Sequence, residues 1–380
     1  MSTYRIPFNK PGLVGRELEY IADAIERGHI AGNGSYTLRC QEFLQREFGC
    51  SRALLTTSCT HALEMCALLL DIKPGDEVIV PSFTFVSTVN AFVLRGARPV
   101  FIDIRPDTLN MDESRLEECI TPRTRAIVPV HYAGVGCEMD AIVPIAERRG
   151  LSVVEDNAHG LFARYRGKRL GTFGQFATQS FHETKNVICG EGGALIVNEP
   201  AYVERAEILR EKGTDRSRFY RGAVDKYTWV DIGSSYLPSD LLAAFLLAQL
   251  EKHEEIRCVR GRIWHAYEAG LGEWARDSGV GLPQVPPHVE QSYHMFYLLL
   301  PSAEARTGLI ERLKARGILA VFHYVPLHLS KMGMDFGGRL GACPVTESIS
   351  ARLVRLPFYN DLSRELQEEV MDAIRAFRCR

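Results

Sequence analysis

No stretch of this sequence is apolar for long enough to cross a bilayer. The most apolar helix-like segment, Leu241 to Leu250, falls far short of the ~20 residues a span needs. The N-terminus, Met-Ser-Thr-Tyr-Arg-Ile-Pro, holds no apolar run of signal-peptide length. Charge of one sign is not in excess: 45 Lys+Arg stand against 47 Asp+Glu, a formal net charge of −2. No global pull toward nucleic acid or a membrane is therefore expected, and any anion site must be local. Ten cysteines are present but none forms a C-x-x-C pair, so free thiols in a reducing cytoplasm are expected. No histidine–acid spacing suggests zinc, and no metal is expected. The glycine fingerprint G-x-G-x-x-G is missing after the first strand-like run, which counts against a nicotinamide-dependent oxidoreductase.

What is present is a strand-and-helix rhythm. With 380 residues the chain is long enough for two domains. Strand-like runs fall at Ala53–Thr56, Glu77–Val80, Pro99–Asp103, Ala126–His131, Ser152–Asp156, Thr178–His182 and Ala194–Asn198. Helix-like stretches at Thr60–Leu70, Phe85–Arg95, Glu113–Ile120 and Ala141–Arg149 separate the first five. This alternation predicts an α/β fold with a mostly parallel sheet of seven strands. A glycine-rich connection before the last run allows an antiparallel pairing there. Ser239–Arg262 reads as one long helix with a break near Glu254. Beyond it, Tyr293–Leu300 and Leu319–Tyr324 read as strands, Ala303–Arg316 as a helix, and Ser363 caps a last helix. The expectation is a large domain over residues 1–250 and a smaller α+β domain over 251–380.

Ligands of open parallel sheets bind beyond the carboxyl ends of the strands. The chemistry-bearing residues fall there. Ser58-Cys59-Thr60 lies where a strand ends and a helix begins, and free amides at a helix start bind phosphate; the same turn without a ligand is an ordinary cap. Asp156 ends a buried strand, where an acid needs a partner; a protonated pyridine nitrogen suits it, and so does a turn it caps. Lys185 follows a hydrophobic strand near Gly190, Gly192 and Gly193, and it either forms a Schiff base with an aldehyde cofactor or is a surface lysine. Phe85 can stack on a flat heteroaromatic ring or belong to the core. Together these residues offer a phosphate cradle, a ring stack, a pyridinium partner and a Schiff-base lysine.

The chain resembles the sugar aminotransferases of the DegT/DnrJ/StrS family, of pyridoxal-phosphate fold type I. The resemblance is carried by Ser58-Cys59-Thr60, Pro81-Ser82-Phe83-Thr84-Phe85, Pro129-Val130-His131-Tyr132-Ala133-Gly134, Glu155-Asp156-Asn157-Ala158-His159, Ser180-Phe181-His182 with Lys185-Asn186, Gly190-Glu191-Gly192-Gly193 and His323-Tyr324-Val325-Pro326-Leu327-His328. Within that family it is most similar to dTDP-4-amino-4,6-dideoxygalactose transaminases, through Ser180 to Asn186, Arg210 to Thr214, Val224 to Trp229 and Asp231 to Tyr236.

The resemblance implies pyridoxal phosphate as cofactor, L-glutamate as donor, dTDP-4-keto-6-deoxyglucose as acceptor, and a homodimer with active sites at the subunit interface. It implies Lys185 as the cofactor-bearing lysine and Asp156 as the partner of the pyridine nitrogen. Phe85 matches the stacking aromatic, Cys59, Thr60 and Ser180 match phosphate positions, and His159 matches one near the cofactor's phenolic oxygen. One departure stands out. Gly233-Ser234-Ser235-Tyr236-Leu237 has serine where many relatives carry an asparagine that reaches the partner's phosphate, and leucine in place of arginine.

For the substrate, Arg218, Arg221 and Tyr220 lie in a basic, aromatic-containing stretch expected to close over the diphosphate from the neighbouring subunit, or to be a solvated loop. His323 and Tyr324 are expected near the sugar at the end of a strand. His131 and His182 read as supporting residues. A sugar dehydratase of the same fold would replace the lysine, usually by histidine, and Lys185 is present. A 3-keto or UDP-linked sugar remains open as acceptor.

Overall fold

Runs such as Ala53-Leu54-Leu55 and Val78-Ile79-Val80 are apolar on both faces, the pattern of strands covered on both sides. In the computed structural model, which describes residues 4–379, they join one seven-stranded sheet. Its strands are β1 (Arg52–Thr56), β2 (Glu77–Pro81), β3 (Arg98–Ile102), β4 (Thr124–Ile127), β5 (Ser152–Asp156), β6 (Phe176–Ser180) and β7 (Gly193–Val197). The spatial order is β1-β7-β6-β5-β4-β2-β3. Only β7 runs antiparallel to its neighbours, β1 and β6. The expected antiparallel pairing is thus present on both sides of one strand.

Side chains alternate between the two faces. Leu54, Val154 and Leu195 pack with the helix Cys59–Leu69, while Leu55, Ala177 and Ile196 pack with the helix Asp240–Glu251. That second helix is the apolar segment noted above. It lies against the helices Glu17–Glu26 and Ser35–Phe48, which explains its nearly uniform hydrophobicity. Among the described residues no helix is long and apolar enough to cross a membrane.

Several expected elements are corrected. The strand at Ala126–His131 ends at Ile127, because Pro129 lacks a donor and the chain turns at Tyr132–Gly134, where Ala133 has a φ of 55°. Glu113–Ile120 is a 3-10 turn, Glu113–Arg115, followed by a single helical turn, Leu116–Cys119. The long helix is two, Asp240–Glu251 and His253–Asp277, broken at Lys252.

Leu319–Tyr324 is not a strand and contributes only one isolated bridge, Val321 to Arg355. The strand that pairs with β8 (Tyr297–Leu299) is instead β9 (Leu353–Arg355), reached through the helix Pro344–Arg352. Pairing partners far apart in sequence carry no local signature, which is why β9 was not legible. The C-terminal core gathers Trp264, Tyr267, Phe296, Leu309, Val354 and Ile374, and Ile6 joins it from the N-terminal segment.

Candidate active site

The ends of β1, β5 and β6 and the start of β7 form one edge, with Thr56 opposite Gly193, Gly193 opposite Ser180, and Asp156 opposite Thr178. All the strand-end candidates gather here. Ser58 caps the helix that follows β1: its side chain accepts from the His61 amide at 3.1 Å. The first amides of that helix, those of Cys59 and Thr60, have no acceptor within it. Gly193 lets this turn sit on the sheet, since a Cβ there would stand 2.4 Å from Cys59 N and 2.4 Å from Ser58 C. The Thr60 hydroxyl donates to Ser87 Oγ at 2.8 Å. Burial pushes the Cys59 thiol up to about 12, so Cys59 is uncharged and offers its amide rather than a thiolate. Ser180 completes this group from the end of β6 and is 8% exposed.

Asp156 is buried and both its oxygens are engaged. Oδ1 accepts from the Ala158 amide at 3.2 Å and Oδ2 from the Thr88 hydroxyl at 2.7 Å. The turn-capping reading of this acid therefore holds for one oxygen, and it does not exhaust the carboxylate. Its neighbour Glu155 is fully buried and accepts from the amides of Gly171, Phe173 and Gly174 and lies 3.0 Å from His131 Nε2. His131 thus braces the strand from beneath.

Lys185 sits at the tip of a hairpin that prolongs β6 and β7. The Phe181 amide donates to Gly192 O, the Cys189 amide to Phe181 O and the Glu183 amide to Gly190 O. Lys185 itself donates its amide to His182 O at 2.9 Å. Burial lowers the pKa of the Lys185 amine, against an upward pull from Asp156, and the Arg355 charge lowers it further. Lys185 is partly buried at this edge. His182 meets Thr184 through Nδ1, and its Nε2 lies 3.6 Å from Glu191 across the hairpin.

Around this edge stands a wall of rings. Phe85 is 57% exposed, while Phe83 is the buried member of the pair, so Phe85 offers a bare face and is not a core residue. Tyr324 stands 6.4 Å from it between ring centroids. His159 stacks on His294 at 4.2 Å, and His323 lies 6.2 Å from His159. Burial pushes all three imidazoles well below their ordinary value, so they are neutral. His159 Nδ1 accepts from the Ala133 amide, which leaves its proton on Nε2. Tyr132 reaches His323 Nδ1 at 2.9 Å. Asn186, next to Lys185, donates to Ser292 O and takes a bond from His294 through Oδ1.

The remaining candidates do not converge on this edge. Arg218 pairs with Glu204 at 3.3 Å and Arg221 with Glu207 at 2.7 Å; the Tyr220 hydroxyl accepts from Arg216. Ser235 is exposed, in a segment whose Tyr236 carbonyl accepts the Thr57 amide at 2.9 Å. Sequence reasoning did not single out Thr88, His294 or Arg355. Thr88 lies in the first turn of the helix Val86–Val93, whose N-cap is Phe85, and its amide donates to Phe85 O. Nothing local marks His294.

The residues present fit a phosphorylated pyridoxal: free amides and hydroxyls for a dianion, a bare aromatic face, a carboxylate for a ring nitrogen, and an amine with lowered basicity for an aldehyde. Fold and site define a pyridoxal-phosphate-dependent aminotransferase of fold type I. The chain belongs to the DegT/DnrJ/EryC1/StrS aminotransferase family, whose model matches residues 12–375. Among solved structures, it is similar to DesV from S. venezuelae, in complex with a ketimine intermediate, at 33% identity over 95% of this chain and 93% of that one, with a TM-score of 0.85. It is similar to the aminotransferase TlmJ from Streptoalloteichus hindustanus at 30% identity over 98% of both chains, with a TM-score of 0.89. The Streptococcus pneumoniae protein Spr1654, solved in a PLP form, matches at 26% identity over 98% of both chains with a TM-score of 0.90. The protein is a sugar aminotransferase that uses pyridoxal phosphate.

Proposed function

We propose that this enzyme moves the amino group of L-glutamate to C4 of dTDP-4-keto-6-deoxy-D-glucose. The products are 2-oxoglutarate and dTDP-4-amino-4,6-dideoxygalactose, or its gluco epimer. The observation that carries the chemistry is the partly buried Lys185, its amine made less basic by that burial, at the strand-end edge that also holds Asp156. The choice of acceptor rests on the similarity of Ser180 to Asn186, Arg210 to Thr214, Val224 to Trp229 and Asp231 to Tyr236 to the 4-amino sugar transaminases.

Pyridoxal phosphate, when bound, supplies an aldehyde that carries the amine and a ring that accepts electrons from the reacting carbon. The chain's residues do the rest. The Lys185 Nζ, made less basic by burial, takes the proton from the donor α-carbon and in the second half returns one to sugar C4. Asp156, aimed by Thr88, presents a negative charge to the ring nitrogen. Ser58, Cys59, Thr60 and Ser180 hold the phosphate, and Phe85 covers the ring. His159 offers its Nε2 proton to the phenolic oxygen. The His323 and Tyr324 side chains face the sugar.

Arg218, Arg221 and Tyr220 serve the diphosphate of the partner subunit's substrate, and Ser235 the partner's cofactor phosphate. This dimer is supported by large apolar side chains left exposed on one chain, among them Trp229 at 77% and Leu94 at 62%. An NMR spectrum of the product made from the keto sugar and glutamate tests the proposal. An amine at C4 is expected; an amine at C3, or turnover only with a UDP-linked sugar, would contradict it.

A further inference from the structure

Irregular chain brings Tyr324 to the site, and apolar packing alone does not hold it there. Phe322 is 55% and Val325 58% exposed, on either side of the His323-Tyr324 pair. Two residues further on, the chain is anchored. The Leu327 amide donates to Ser82 O at 3.0 Å and the His328 amide to Ser82 Oγ at 3.2 Å. Ser82 stands just past the end of β2, beside Phe83, and both Ser82 and His328 are fully buried. The Ser82 hydroxyl lies 2.6 Å from His328 Nδ1, and His328 Nε2 lies 2.9 Å from Glu347 Oε1. With the hydroxyl donating to Nδ1, the imidazole carries its proton on Nε2, facing the carboxylate.

Hydroxyl, imidazole and carboxylate follow one another as in a nucleophilic relay, but no substrate reaches Ser82. It is sealed from solvent, and its oxygen already accepts the His328 amide. The relay joins elements instead. Glu347 lies on the helix Pro344–Arg352, whose first turn is held by Asp103, just past β3, through the amides of Val345 at 2.9 Å and Thr346 at 2.8 Å. From the same helix the Ser350 hydroxyl donates to the Tyr324 carbonyl. Tyr324 is thus braced from both sides, with its ring centroid 5.6 Å from that of Phe83 and 6.4 Å from that of Phe85. In a buried chain of hydrogen bonds each member fixes the next, so loss of one end loosens the whole brace.

We propose that Ser82, His328 and Glu347 are positioning residues that set Tyr324 against Phe85 and so act on the sugar half of the cycle. This rests on the reading above that Tyr324 faces the sugar. Lys185, Asp156 and the phosphate turn are carried by β1, β5 and the hairpin of β6 and β7, so the glutamate half is spared.

The two half-reactions of the cofactor-loaded protein, followed separately with whichever keto sugar the unaltered enzyme aminates, test this. Ser82→Ala and Glu347→Ala should each raise the KM for the keto sugar by roughly 5- to 20-fold, the range of one lost buried hydrogen bond. Glu347→Gln keeps an acceptor for Nε2 and should return to within about threefold of the unaltered enzyme. The glutamate half-reaction should change by less than about threefold, which also shows that the variants are folded. In a Tyr324→Ala background the same replacements should add less than about twofold, because their effect runs through Tyr324. An unchanged keto-sugar KM in both alanine variants, equal losses in both halves, no recovery in Glu347→Gln, or the full loss repeated in the Tyr324→Ala background would overturn the relay. A sugar half-reaction indifferent to Tyr324→Ala would sink the reading of Tyr324 and the relay with it. The same pattern obtained with a different keto sugar would sink the proposed acceptor alone and leave the relay standing.

Discussion

Thr88 is where the proposed electron-withdrawing role of Asp156 becomes separable from its turn-capping one. The carboxylate spends Oδ1 on the Ala158 amide and receives Thr88 at Oδ2. Asp156→Ala should leave the protein folded and slow both half-reactions by on the order of 10²–10³, the scale of a lost preorganised electrostatic contact. Thr88→Val removes one bond to a charged acceptor, worth about 1.5–3 kcal/mol, and should slow both halves by a smaller factor. Single-turnover kinetics with glutamate would show this, and turnover unchanged in Asp156→Ala would remove Asp156 from the chemistry. At this scale the sequence was informative about single positions. It gave Asp156 and Lys185 their places at strand ends. It could not tell that Phe85 is bare and Phe83 buried, because two apolar rings two residues apart look alike until the sheet edge is built.

The proposed cradle for phosphate depends on an element junction, the turn from β1 into its helix lying against the first residue of β7. A methyl group at Gly193 would meet backbone atoms, Ser58 C and Cys59 N, which have no rotamer to yield. Gly193→Ala is therefore expected to lower stability by about 1–3 kcal/mol and to weaken cofactor binding. Urea unfolding of the apo form and cofactor titration measure the two effects, and a variant indistinguishable in both would contradict the cradle's geometry.

The segment bearing Arg218 and Arg221 poses a different test. Both are paired with acids of the same chain, Glu204 and Glu207. The Arg218–Glu204 pair is exposed on both sides and contributes little to stability, and the buried Glu207 keeps Arg52 at 3.0 Å when Arg221 is replaced, so the double replacement by glutamine should cost little in unfolding and raise the KM for the sugar nucleotide alone. Equal effects on glutamate would count against the proposed role. The first strands of the large sheet were readable because helices such as Cys59–Leu69, Val86–Val93 and Met139–Arg149 separate their apolar runs. The small sheet was not: β9 follows a helix whose sequence has no strong apolar periodicity, and the segment expected as its counterpart, Leu319–Tyr324, is irregular chain that carries His323 and Tyr324 into the site.

Over the whole molecule, three buried neutral imidazoles make stability depend on pH. His159, His294 and His323 have folded values well below 6.5, chiefly through burial. In the unfolded chain they titrate near ~6.5. Below that pH the unfolded state binds more protons, so their contribution, fully present above it, is lost as pH falls toward the folded values. The slope approaches about 1.4 kcal/mol per pH unit for each histidine. The urea midpoint should fall between about pH 8 and about pH 5.5, and His294→Asn should shrink that fall. Equal midpoints at the two pH values would contradict the burial of this trio. The account as a whole turns on which amine meets the cofactor. Protein loaded with pyridoxal phosphate, reduced with borohydride and digested should carry the pyridoxyl mass on the peptide containing Lys185; label on any other lysine, or none at all, would contradict it.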